Sequence, residues 1–401
     1  MYLFIKCLVR LGLLIFCRKF IFNNRHILKE RGPLLLACNH PNSFFDALIL
    51  GSFFKQPVHF LARGDAFKNP LARKILSALN AIPIYRLKEG KEYLALNDNT
   101  FDRCLKILQS GGIVLIFSEG LCLNQWDLRP LKKGTARIAI TAWKHPSIKD
   151  IFSVLPVSLN YSSFTRFSKT VIINFGNPIQ HEHLLSGKNE AEQIVELNKI
   201  IYSHLEDGML VERQNASVAE LLLRNTQMFS ASSSGNIPRL KFIQEKIYDR
   251  GVEKVFNRLA GSKKLSLRKG DQLINILFIL LLFIPAIAGL SIHLPFYLPI
   301  KKLIRNKTNG TVFYHSALFG VLIIIYPFYL IILSIVGMIY FDNRLFILLL
   351  PVLPMLALIY LQWKESMESL CNYFKLSIEE RKQLLFLFNE NRVRQLSSCI
   401  I

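Results

Sequence analysis

Ala37-Cys38-Asn39-His40-Pro41-Asn42-Ser43-Phe44-Phe45-Asp46-Ala47 is the stretch whose reading decides the fold. The apolar run from Pro33 to Cys38 reads as a buried strand. It stops at Asn39-His40-Pro41, and a second apolar segment, Phe44 to Phe54, is long enough for a helix. His40 therefore stands at the C-terminal end of a strand, and Asp46 in the first turn of the helix that follows. In open α/β sheets this edge is where ligands bind.

A histidine at such an edge takes a proton from a hydroxyl when an acceptor holds its second ring nitrogen. Asp46 is the nearest carboxylate in sequence and a candidate for that acceptor, fixing the tautomer and favouring the imidazolium. The same residues support a second reading. Ser43-Phe44-Phe45-Asp46 is an S-x-x-D capping box, in which Asp46 reaches back to a backbone N–H.

Three further blocks follow in order: Ala81-Ile82-Pro83-Ile84-Tyr85-Arg86, Phe117-Ser118-Glu119-Gly120 and Val154-Leu155-Pro156-Val157-Ser158. Together with the His40–Asp46 pair, they resemble the four ordered motifs of the glycerolipid acyltransferases, which acylate glycerol-3-phosphate and 1-acylglycerol-3-phosphate. The resemblance runs from about Asn39 to Pro178. Two details differ from the commonest pattern: the first motif is H-x5-D rather than H-x4-D, and Ser118 stands where proline is common.

The resemblance implies acyl transfer from a thioester, acyl-CoA or acyl carrier protein, to a glycerol-phosphate acceptor. His40 and Asp46 are its catalytic pair. The second and third motifs form the acceptor site, and Pro156 belongs to the acyl or donor site. A phosphate-bearing acceptor calls for fixed cations, and the guanidinium of Arg86 grips phosphate with two donors. Arg129, Lys132, Lys133 and Arg137 offer further phosphate or coenzyme contacts, or a solvated basic face. Gly120 permits close approach of a ligand. Glu119 has two expected roles, orienting Arg86 or accepting a hydrogen bond from the glycerol hydroxyl. No G-x-S-x-G elbow is present, which disfavours a serine acyl-enzyme. No metal or redox cofactor is called for, and His181 and His183 read as surface residues.

Composition points to lipid. The chain has 401 residues, 51% of them hydrophobic, with 30 Phe and a formal net charge of +22; its mean hydropathy is +0.30. A basic, apolar chain suits anionic lipids or anionic substrates. Nucleic acid is the competing partner, but no nucleic-acid motif is present. Seven scattered cysteines without a C-x-x-C pair argue against a disulfide framework and a structural zinc site. A non-enzymatic lipid-binding membrane protein is the reading from another class. It has no need of a base at His40.

Residues 1–30 read as an interfacial, membrane-docking helix, since basic residues interrupt an apolar run too short to span a bilayer. Residues 31–230 alternate strand and helix signals, as expected of an α/β domain with a mostly parallel sheet flanked by helices. The expected strands are Leu34–Cys38, Val58–Ala62, Ala81–Tyr85, Ile113–Phe117, Val154–Asn160 and Val171–Phe175. Residues 231–270 read as a helical linker, 271–362 as a C-terminal transmembrane helical region, and 363–401 as a polar tail. Three apolar blocks, Leu273–Leu294, Ser316–Tyr340 and Leu345–Leu361, are long enough to enter a membrane. Basic residues flank the first block on both sides. The positive-inside rule therefore favours a re-entrant hairpin broken at Pro285, or an interfacial segment, followed by one spanning hairpin. This topology makes an integral membrane protein whose catalytic domain faces the cytoplasm.

Overall fold

The computed structural model describes residues 2–398 apart from 87–89, 91, 93–94, 182–188, 213, 225–235, 260–264 and 266. His183 and the Ser-rich start of the expected linker lie outside the described residues. The chain divides into two compact units. The first comprises Met1–Leu14, Phe20–Asn160 and Ile172–Val211; the second comprises Ile15–Lys19, Tyr161–Val171 and Glu212–Ile401.

Most residues of strands β1 (Cys17–Asn23), β2 (Leu34–Cys38), β3 (Val58–Arg63), β4 (Ala81–Ile84), β5 (Ile113–Phe117), β6 (Ser153–Tyr161) and β7 (Lys169–Phe175) fall in the first unit. The strands form one seven-stranded sheet in the order β1-β7-β6-β2-β5-β3-β4. β2 pairs in parallel with β5 and β6, and β3 pairs in parallel with β5 and β4. The β6–β7 hairpin is antiparallel: Ser162 N–H donates to Thr170 O and Gly176 N–H to Pro156 O, so residue numbers rise on one strand as they fall on the other. β2 sits at the centre, and all five of its side chains are buried, as a strand covered on both faces requires.

Helices α1 (Tyr2–Phe16), α2 (Phe44–Phe53), α3 (Pro70–Ala78), α4 (Leu96–Gln109), α5 (Lys133–Lys144) and α6 (Glu190–Asp207) accompany the sheet. Ala136, Ala139, Ile140 and Trp143 of α5 and Leu197, Ile201 and Leu205 of α6 pack with Leu35, Ala37, Val114 and Ile116 of the strands into one core. α4 stops where expected: Gly111 adopts φ +72, and Gly112 N–H closes onto Ile107 O.

The six expected strands all form, two with the expected ends and four with ends shifted by one or two residues. The seventh, β1, corrects the expectation of one interfacial helix over residues 1–30. The helix ends at Phe16, and Cys17, Ile21 and Asn23 turn inward while Arg18 and Lys19 stay exposed. Short apolar runs of this kind do not distinguish strand from helix by periodicity. The α1 helix is not detached either. Lys6 donates to the carbonyls of Phe54 and Lys55, and the Arg10 guanidinium lies 5.3 Å from the Phe53 ring centroid.

The second unit contains α7 (Ala216–Arg224), α8 (Asn236–Asp249), α9 (Glu253–Arg258), α10 (Lys269–Leu281), α11 (Phe283–Thr308), α12 (Tyr314–Tyr340), α13 (Leu349–Lys375) and α14 (Ile378–Ser398). Within the expected helical linker, α8 and α9 are separated at Gly251, which takes φ +62. Among the described residues, three helical segments are long and apolar enough to cross a membrane: Phe283–Thr308, Tyr314–Tyr340 and Arg344–Lys375. They mark the protein as membrane-associated.

The first apolar block is not a re-entrant hairpin. A break at Leu282 separates α10 from α11, and Pro285 falls in the first turn of α11, where proline is tolerated. Ala286 N–H still donates to Leu282 O, so the helix bends without reversing. Both pieces lie antiparallel along α13. Asn275 donates to Ser369 Oγ at 3.1 Å, Trp363 Nε1 donates to Ile279 O at 3.1 Å, and Gly289 meets the backbone of Leu356. Small and polar residues are what hold apolar helices together when a hydrophobic drive between them is missing. α13 continues to Lys375, well into the segment expected as a polar tail.

Asn39 closes the central strand. Its buried side chain accepts from Leu159 N–H at 2.7 Å and donates to Leu159 O at 3.0 Å, locking the end of β2 to β6. Asn39→Ala strands both backbone groups and destabilises the first unit by about 2–4 kcal/mol. Chemical denaturation of the detergent-solubilised protein measures this, and a loss under about 1 kcal/mol would contradict the bridging role.

Candidate active site

The C-terminal edge of the parallel strands gathers the chemistry. β2 ends at Cys38 beside Phe117, the end of β5. The pairing continues one step beyond the strands, with Ser118 N–H donating to Cys38 O at 2.9 Å. His40 and Glu119 therefore emerge side by side.

His40 Nδ1 lies 2.9 Å from Asp46 Oδ2. The Asp46 side chain is fully buried, while the imidazole keeps 17% of its surface exposed. The imidazole ring stacks on Phe117 with centroids 3.7 Å apart and an interplanar angle of 13°. One ring nitrogen is thus taken by a buried acid, one face is covered, and the remaining edge is open to a reactant. Asp46 Oδ2 also accepts from Asn42 N–H at 2.8 Å. The carboxylate therefore both reaches back to backbone and orients the imidazole. Ser43, in contrast, makes no side-chain cap to α2.

Five residues separate the two partners, and Ser43 absorbs the length. It adopts φ +52 and ψ −143, a region that costs a residue with a β-carbon about 1–3 kcal/mol. Its N–H donates to Cys122 Sγ at 2.8 Å, which ties this turn to the loop after β5.

Glu119 does not orient Arg86, contrary to one of its expected roles. Its Oε1 accepts from His40 N–H at 2.7 Å. Its Oε2 accepts from Arg129 Nε at 2.9 Å and from Arg129 N–H at 3.3 Å. Arg129 also donates to Leu121 O. Both carboxylate oxygens are therefore committed to bracing the His40 loop. The reason lies in strand order. Arg86 follows β4, which stands three strands from β2, or about 14 Å at the usual spacing. Arg86 shares the edge with His40 but belongs to its far end, where Asn97 fastens Tyr85 through bonds of 2.9 and 2.8 Å.

Lys132 and Lys133 open α5, on the side of Ser118. Lys132 N–H donates to Ser118 O at 2.7 Å, and Thr135 Oγ1 donates to Ser118 Oγ at 3.0 Å. The helix N-terminus and two exposed lysines concentrate positive potential there, the arrangement that receives phosphate groups. Gly120, at φ +66, is required as glycine: a β-carbon would press on the Lys132 side chain at 2.9 Å. Pro156 lies within β6 at the level of Ala37, three residues short of His40, and packs on Gly176. It is a buried strand residue rather than one that lines the edge. His181 faces Asp150 at 3.4 Å on the surface, and no cluster of metal-ligating side chains is found among the described residues.

Sequence reasoning missed the Glu119–Arg129 clamp, the Asn39 bridge and the Phe117 stack. Asn39 carried a signal, as a polar residue closing a wholly apolar strand. Cys122 was also passed over. Burial, reinforced by the charge of Asp46, pushes its thiol well above the ordinary range. Only thiolate reacts with maleimides, so labelling of Cys122 in a variant lacking the other cysteines rises through pH 10. An ordinary thiol levels off near its pKa of about 8.5, and such a plateau for Cys122 would contradict the burial.

Residues 19–160 match the family model described as Acyltransferase. Over 120 residues the chain is 27% identical to the 1-acyl-sn-glycerol-3-phosphate acyltransferase of Bacillus subtilis (strain 168), covering 30% of this chain and 55% of that protein. The chain thus spans about half the length of this curated relative. A solved structure, the 1-acyl-sn-glycerophosphate acyltransferase PlsC of Thermotoga maritima, aligns with 52% of this chain and 78% of its own at 17% identity and a TM-score of 0.38. Over residues 19–160, then, this chain is similar to the acyltransferases.

Proposed function

We propose that this protein is a membrane-bound acyltransferase that moves a fatty acyl group from a thioester to the free hydroxyl of 1-acylglycerol-3-phosphate, giving phosphatidic acid. The observation that carries the reading is the pairing of His40 Nδ1 with the buried Asp46 carboxylate at 2.9 Å, on a strand edge rich in cations. A histidine so held has its free nitrogen, Nε2, available as a base.

The acceptor hydroxyl gives its proton to His40 Nε2 as its oxygen attacks the thioester carbonyl. The C–S bond then breaks, and the imidazolium returns the proton to the departing thiolate. The products are an ester and a thiol. Asp46 stabilises the imidazolium formed in between. The acceptor's phosphate suits the Lys132–Lys133 end of α5, beside His40, while the guanidinium of Arg86 adds its charge from the far end of the same edge. Glu119 and Arg129 act as positioning residues by fixing the His40 backbone. Pro156 bears on the donor side only through the packing of β6. The donor is acyl-CoA or acyl carrier protein, and the chemistry uses no resident cofactor. Acyl thioesters of this kind are cytoplasmic, which favours that face for the first unit.

Acyl transfer by detergent-solubilised protein tests the proposal. 1-Acylglycerol-3-phosphate and glycerol-3-phosphate are supplied separately, each with acyl-CoA and with acyl carrier protein. His40→Ala is expected to lower kcat by about 10²–10⁴-fold, whereas Arg129→Gln lowers it by up to about 10²-fold through misplacement of the base. Turnover of glycerol-3-phosphate alone would shift the assignment to the preceding acylation. An active His40→Ala enzyme would overturn the base.

A further inference from the structure

Helix α3 connects β3 to β4 and is unlike the other helices of the first unit. None of its residues is buried. Leu71 and Ile75, one turn apart on the same face, are 68% and 46% exposed. Lys68, Arg73 and Lys74 surround them, and the segment from Ala66 to Asn80 contains no acidic residue. The helix is nevertheless firmly started. Pro70 occupies its first turn, and the Asn69 side chain accepts from Leu71 N–H at 2.9 Å and Ala72 N–H at 3.1 Å. A rigid helix that keeps two large aliphatic side chains in water has its own reason for doing so.

We infer that α3 is a second membrane-contacting element, which seats the catalytic edge of the sheet on an anionic bilayer surface. Large aliphatic residues ringed by lysine and arginine are the composition of helices that lie in the lipid interface. Charge selects the partner. An anionic bilayer complements Lys68, Arg73 and Lys74. A second copy of the chain, apposed face to face, would bring these cations against each other with no carboxylate on the helix to offset them. The same chain supplies three segments able to cross a membrane, so a bilayer is at hand.

The neighbouring loop extends the surface. β5 lies beside β3, and the loop after β5 exposes Leu121 and Leu123, at 44% and 38%. That loop runs on from Glu119 to the exposed Lys132 and Lys133. The N-terminal turn of α3 stands on the same edge, because it follows the end of β3. Apolar side chains and cations thus share the edge that bears His40. This arrangement suits an acceptor that slides in from the bilayer with its acyl chain still in lipid and its phosphate raised to the cations. The route of the acceptor rests on the acyltransferase reading above; the docking itself does not.

The test separates the two. Full-length protein carrying p-benzoylphenylalanine at Leu71, Ile75 or, as control, Ser77 is reconstituted into vesicles of phosphatidylglycerol and phosphatidylethanolamine and irradiated. Lipid adducts are expected at positions 71 and 75 and not at 77. Crosslinked dimers, or the absence of lipid adducts at 71 and 75, would overturn the docking whether or not the protein has activity. In the kinetic arm, the Leu71→Glu/Ile75→Glu variant is compared with wild type. For a long-chain acceptor in vesicles, KM is expected to rise about tenfold, while kcat/KM for a short-chain, water-soluble acceptor is unchanged. An equal loss on both acceptors would show that the substitutions damage the domain and would remove the route from the bilayer.

Discussion

The site depends on one buried carboxylate. Glu119 joins the end of β2 to the loop after β5 by accepting from His40 N–H with one oxygen and from Arg129 with the other. Removing a partner from such a buried ion pair leaves an uncompensated charge, so each member holds the others in place. The parallel register of β2 and β5 makes the bridge possible, since Cys38 faces Phe117 and the residues just beyond both strands meet. From that point the imidazole is fixed on three sides: by its backbone through Glu119, by its ring nitrogen through Asp46, and by its face through Phe117.

What was legible in the sequence followed the range of the interactions involved. The strands β2 to β7 are apolar runs bounded by turns, a local signal, and all were readable. The same holds for the placement of His40 and Asp46, which follows from one strand ending and one helix beginning. β1 was not readable, because seven residues with two adjacent basic side chains fit a helix lying in an interface equally well; what selects the strand is pairing far along the chain, seen in Asn24 donating to Phe175 O at 2.8 Å. The partner of Glu119 was missed for a similar reason. Motif order in sequence carries no information on strand order in space, and β4 with Arg86 lies at the sheet's far edge while Arg129 returns to the centre.

The membrane segments show the same division. Their existence follows from length and hydropathy alone, but the path of the first block does not. Proline suggested a reversal at Pro285, yet a proline in the first turn of a helix removes a hydrogen bond that the helix would not have made there. The antiparallel seating of α10 and α11 on α13 is set by Asn275, Gly289 and Trp363, a polar, a small and an amphipathic residue spaced along one line. Glu365 extends this pattern. An acid inside an apolar segment is expensive unless paired, and it faces Arg18 at 3.3 Å and accepts from Ser168.

The spacing of the first motif makes a more general point about insertion into a catalytic turn. An additional residue between histidine and carboxylate would ordinarily rotate the carboxylate by about 100° around the helix that bears it. Here the added length stays out of α2. It is taken up at Ser43, whose positive φ reverses the chain before the helix starts, and Asp46 still occupies the third position of α2 with its Oδ2 toward His40. The strain is local and is held by its neighbours, with Ser43 N–H fastened to Cys122 and Asn42 N–H to Asp46 itself. The geometry needed is a nitrogen-to-oxygen distance, not a residue count, and a chain that keeps the distance through one unfavourable torsion keeps the chemistry that depends on it.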